Sequence, residues 1–170
     1  MSHKVSPFLL NDLFFGGFAT LTFKNETKGS HMTVRVSQAR DKADRKRRLP
    51  IFFVKISLLG DGEQGYLNAG TIFQESMHYK LADQVDPNGR LGKAMAFLVA
   101  ALKNHEVLEQ ANVSFQHEGK CCSCGMDLTH PESIPVGLGR DCLSRRIREN
   151  ADFGNIFRMN FPDYPFALKV

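Results

Sequence analysis

All four cysteines of this chain fall between residues 121 and 142, and with His117 they read H-x3-C-x2-C-G-x16-C. Two thiols separated by two residues can reach one ion across a tight turn. Gly125, directly after the second of them, suits that turn because glycine enters the left-handed backbone region without steric cost. His117, Cys121, Cys124 and Cys142 together would fill a tetrahedral shell of the kind that holds structural Zn²⁺. A shell filled by protein donors leaves no place for a reacting water, so the expected metal is one structural Zn²⁺ and not a catalyst. His130 is an alternative fourth ligand if the intervening loop folds back. Cys122 is another, although Cys122-x-Cys124 spacing strains a shared ion. Four thiols without a metal is the plain alternative.

Cysteines confined to one segment suit a reducing compartment and metal binding better than a disulfide framework. The N-terminal residues lack a signal-peptide pattern, and no apolar run approaches the roughly 20 residues that span a bilayer. The expectation is a cytoplasmic protein with no membrane partner. Its 170 residues, 42% apolar and 24% charged, can bury one substantial core with a small module appended.

Hydrophobic periodicity divides the chain. Alternation over residues 18–24 and 32–36 predicts a hairpin, with turn-forming residues between. Residues 51–59 read as a strand ending at the Gly60-Asp61-Gly62 turn, and 66–73 and 77–81 read as two short strands. After Asp86-Pro87-Asn88-Gly89, residues 91–102 are rich in Ala, Leu, Met and Phe and predict a deeply packed helix. Residues 113–115 look like a strand delivering His117, and 143–149 like a short helix following Cys142. The expected fold class is α+β. An antiparallel sheet of about five strands with a packed helix (1–112) would precede a treble-clef or zinc-ribbon-like knuckle and helix (113–150). Last would come an aromatic tail (151–170), which packs back on the sheet or the module; its two prolines also suit an extended contact arm.

The segment from Cys121 to Cys142, with Cys124-Gly125, Leu128-Thr129, Ser133-Ile134, Gly137 and Gly139 between, resembles a domain of unknown function found in phage and bacterial proteins and appended to some helicases. Its pattern is roughly C-x-x-C-G-R-x-L-T-x-P-x-S-I-x-x-G-x-G-P-x-C, often led by H-x-G-x-C, which His117-Glu118-Gly119-Lys120-Cys121 matches. Met126 stands in place of the usual Arg and Arg140 in place of Pro. The resemblance implies a zinc module in a phage-encoded protein, with His117 as ligand, and implies no activity. If so, the protein would work in the host cytoplasm.

The net charge of +4 is concentrated. Residues 40–48 hold six basic and two acidic side chains, so the whole excess lies there. Arg45, Lys46, Arg47 and Arg48, with Arg145 and Arg146 beside the last cysteine, are candidate phosphate contacts; a solvated loop, and arginines balancing the thiolates, are the plainer explanations. Phenylalanines interleaved with Lys and Arg could stack bases, but at strand spacing they read as core. Gly137-x-Gly139 could cradle a phosphate, yet the turn into Cys142 suffices to explain it.

Catalytic patterns are absent from the sequence. A zinc deaminase would need H-x-E with P-C-x-x-C, and there is no G-x-S-x-G, Walker loop or H-E-x-x-H. The expected function is a non-enzymatic zinc-containing accessory protein that binds nucleic acid. The alternative is a protein-binding inhibitor or adaptor acting on a host factor such as a defence nuclease or polymerase. The oligomeric state stays open.

Overall fold

Alternation with period two, where it occurs, decides which side chains enter the core. The computed structural model describes residues 3–58 and 65–164; the turn expected at residues 60–62 and the end of the aromatic tail lie outside them. In β2 (Phe18–Asn25), Ala19, Leu21 and Phe23 are buried; Val34 and Val36 of β3 (His31–Arg40) and Phe52, Val54 and Ile56 of β4 (Arg48–Ser57) join them. The intervening Thr20, Arg35, Ser37, Phe53 and Lys55 occupy the other side of the pleat. β5 (Leu67–Phe73) and β6 (His78–Leu81) continue the sheet.

Among the described residues the sheet is antiparallel throughout, in the order β1-β7-β2-β3-β4-β5-β6. It has six full strands and a two-residue stub, β1 (His3–Lys4), against the expected five or so. The additional full strand is β7 (Val113–His117), which was expected at the head of the metal module. It lies between β1 and β2, with Phe115 opposite Phe23 and His117 opposite Leu21. The Phe23 and Phe115 rings stack at 5.8 Å. β7 therefore belongs to the core sheet and ends where the cysteines begin.

Helices cover one face. α1 (Leu10–Phe14) buries Leu10, Leu13 and Phe14 and packs on β2. α2 (Arg90–Lys103) buries Met95, Leu98, Val99, Ala101 and Leu102 against β5 and β6. Its exposed flank carries Lys93, Ala96, Ala100 and Lys103, so its apolar composition reflects alanine as much as burial on every side. α3 (Glu106–Gln110) sets Leu108 beside β7.

α4 (Arg140–Glu149) and α5 (Ala151–Asn160) form a pair at the C-terminal end. The aromatic tail is thus helical over its first ten residues. Asn150 caps α5 by accepting the Phe153 N–H at 3.0 Å. Phe153 and Phe157, four apart, turn the same way into the core. Phe157 stacks on Phe161 at 4.7 Å, and Phe161 meets Phe8 at 5.8 Å. The tail was expected on the sheet or the metal module; it packs in helical form on α4 and, through Phe161, on the N-terminal segment.

A three-cysteine centre beside a basic groove

Backbone bonds build the knuckle. Leu128 N–H donates to the Gly119 carbonyl at 2.9 Å, Cys121 N–H to Met126 at 2.8 Å, and Gly125 N–H to Cys121 at 2.8 Å. Residues 119–121 and 126–128 thus form a minimal hairpin whose tip is Cys121-x-x-Cys124. Gly125 has φ +78°, and a Cβ there would sit 2.8 Å from the Phe18 ring. Any other residue would be both strained and crowded. Cys142 enters from the first turn of α4, three residues after the Gly139 N-cap.

The Sγ atoms of Cys121, Cys124 and Cys142 all lie within 4.8 Å of one another. Zinc–sulfur bonds of about 2.3 Å place tetrahedral sulfurs roughly 3.8 Å apart, so the cluster is sized to converge on one ion. Gly139 N–H donates to the Cys121 sulfur at 3.3 Å. Burial pushes the Cys121 thiol up, but the N–H groups of Gly139, Cys124 and Ser123 outweigh it and the net direction is down. Burial, then the charge of Cys121, pushes Cys142 up to about 12. Three soft donors with one sulfur already favoured as thiolate could hold a metal ion.

His117 is not brought to the sulfurs. It is fully buried on the inner side of β7; Gly119 N–H donates to its Nδ1 at 2.9 Å and its Nε2 meets the Ile134 carbonyl. With Nδ1 accepting, the ring proton sits on Nε2 and donates to Ile134. Both nitrogens are spent holding the two backbone segments that flank the knuckle. The period of two in β7 could have signalled this, because Phe115 and His117 must share the core face. His130 instead borders a cavity of about 400 Å³ that also touches Cys121, Cys124, Cys142, Asp127 and Asp141. Cys122 is a core residue: its N–H donates to Gly137 at 3.0 Å, its carbonyl accepts from Phe18 at 2.8 Å, and burial pushes its thiol well up. Gly16 lies so close to the Cys122 carbonyl that an added Cβ would be 2.7 Å from it.

The basic candidates come together in part. Arg40 at the end of β3, Lys46 in the following connection, Arg48 at the start of β4, and Arg145 and Arg146 from α4 line one groove of about 700 Å³, which Ser123 and Cys142 also border. Arg45 and Arg47 do not line it. Arg47 pairs with Asp41 at 3.7 Å. Asp41 and Asp44 shape the connection by accepting the Ala43 and Lys46 N–H groups at 2.7 and 3.0 Å. Arg146 is committed to Asp12 through two bonds of 2.6 and 3.0 Å. Burial pushes the Asp12 carboxyl up, and Arg146 pulls the other way. Arg145 reaches the Cys142 sulfur at 3.6 Å, and Glu149 is the acidic residue of the lining.

The model of a family of unknown function (DUF6011) matches residues 111–147, the stretch that holds β7, the knuckle and most of α4. No curated protein and no solved structure matches the chain. Among the described residues, no helix is long and apolar enough to cross a membrane.

Proposed function

We propose that Cys121, Cys124 and Cys142 hold one structural Zn²⁺ and that the chain is a non-catalytic, phage-encoded accessory protein that binds nucleic acid through the adjoining groove. One observation carries the binding proposal: two basic clusters about a hundred residues apart in sequence line the same groove. Arg40, Lys46, Arg48 and Arg145 would contact phosphates, while Arg146 serves the fold. When bound, the ion would fix the knuckle against α4, and a residue of the cavity holding His130 and Asp141 would close the fourth position. Phage origin rests on the resemblance of residues 117–142 alone.

The test is a titration of labelled nucleic acid at two salt concentrations. Four phosphate contacts correspond to a log–log salt slope of about −3 to −4. Lys46→Glu combined with Arg145→Glu should remove about half of that slope. Absence of binding at low salt would falsify the proposal. The inhibitor or adaptor alternative draws on α5, where Ile156 and Met159 are 48% and 81% exposed. Failure to bind nucleic acid, with capture of one host protein that Met159→Asp releases, would favour it.

A further inference from the structure

The sheet has a second face that no helix among the described residues covers, although the knuckle borders it beside Phe18. Strand register places Phe18, Ser37, Phe53, Thr71 and Lys80 in one row across β2 to β6. Phe18 and Phe53 are 61% and 47% exposed. They stand two strands apart, about 10 Å, with only a serine between them. The next row is Thr20, Arg35, Lys55 and Asn68. Tyr66 rises beside it, its ring centre 3.8 Å from the Arg35 guanidinium. Phe18, Arg35, Lys55, Tyr66 and Lys120 all border one trough of about 940 Å³ on this face.

A face intended only for water would carry polar side chains at those positions, and one intended for a core would carry no guanidinium. Here exposed rings alternate with cations and hydroxyls. Glu118, the carboxylate of the trough, accepts from Thr22 at 2.7 Å. Lys120 and Lys24 are balanced by Asp127 and Glu26 at 3.3 and 3.7 Å. Lys55 and Lys80 make no ion pair among the described residues. A second copy would oppose Arg35 and Lys55 to themselves, so the charge argues against self-association. Rings spaced along a cationic surface match unpaired bases, whose π-faces stack while the phosphates meet the cations. A duplex offers no such faces.

We infer that this sheet face, from Phe18 across Ser37 to Phe53 and flanked by Arg35, Tyr66 and Lys55, is a base-stacking platform for single-stranded nucleic acid. The inference rests on the nucleic-acid proposal above and names its substrate class. It is tested on the full, metal-loaded chain with an oligothymidine or oligouridine strand and a duplex of equal length. Because Phe18 also touches the knuckle, the deciding variant is Phe53→Ala with Tyr66→Ala. Expected are at least tenfold preference for the single strand, at least tenfold loss of that affinity in the variant, and an unchanged salt slope. Quenching of 2-aminopurine in the strand should disappear in parallel. Equal binding of duplex and single strand, or a variant that binds as tightly as the parent, overturns the inference while the groove proposal stands. A concentration-dependent dimer dissolved by the same substitutions also overturns it. No binding of either nucleic acid removes both.

Discussion

His117 and the cysteines divide their tasks in a way that single substitutions can separate. Cys124→Ser removes a sulfur from the cluster, and elemental analysis should find the metal lost or strongly reduced. Cys122→Ala should keep one ion per chain, since that thiol lies in the core. His117→Ala should also keep it, yet lower stability by about 3 kcal/mol, because it empties a buried site and strands the Gly119 N–H and Ile134 carbonyl. A melt alongside the metal assay distinguishes these cases. Loss of the ion in His117→Ala with the fold intact would restore the histidine to the coordination shell. The spacing His117-x3-Cys121 fits a ligand or a strut equally well. The side of β7 on which the ring falls tells them apart, and the alternation that puts His117 with Phe115 on the core face is the local signal of it.

At the level of elements, Asp12 and Arg146 tie α1 to α4 across 134 residues. Asp12→Ala should cost about 1–2 kcal/mol, much of it from the half-buried guanidinium left without its partner. Replacing both with apolar residues, Asp12→Leu and Arg146→Met, should recover most of that loss in a denaturant titration. The stub β1 is held by Lys4 to Glu26 at 3.0 Å, and Glu26 also accepts from Ser114 of β7. Ser114 and Lys4 hold the Glu26 carboxyl below its ordinary value of 4.5. A depressed carboxyl stabilises the folded state above that value, and its contribution disappears as pH falls through the lowered one. Protection factors of β1 and the start of β7, corrected for intrinsic exchange, should therefore fall as Glu26 is protonated in acid, while those of β3 and β4 hold. Protection of β1 that is indifferent to pH would refute the clamp. Alternation made β2 and β3 readable from the residues, because one face of each is buried; β4 showed through its branched and aromatic residues ahead of a turn. α5 was harder: Phe153, Phe157 and Phe161 show helical spacing, but Pro162 and Pro165 turn attention to extended chain.

For the molecule as a whole, the metal segment joins the sheet in one buried cluster through Cys122, Val136, Leu138 and Leu143. Most of that cluster, including Leu21, Val34, Phe52, Ile56, Met95 and Leu98, comes from the sheet and α2. A chelator should therefore produce two stages: rapid exchange confined to residues 119–142, with the sheet retained, then global melting at a lower temperature than for the loaded chain. A single cooperative loss of both would show that knuckle and sheet fold as one unit. Acidification should release the ion in the same order, because binding must displace thiol protons and each displaced proton weakens affinity about tenfold per pH unit. The module was legible because metal ligation demands cysteine at fixed intervals. The groove was not, because Lys46 and Arg145 meet only through the path of the chain between them.

The ends of the sheet have a consequence for how anything can be recognised. One margin is a two-residue stub and the other a four-residue strand. Among the described residues neither offers an unpaired ladder long enough to recruit an extended peptide, which also guards against stacking into fibrils. Recognition by strand addition is thus disfavoured at these margins, which leaves the choice of guest to side chains rather than main-chain amides.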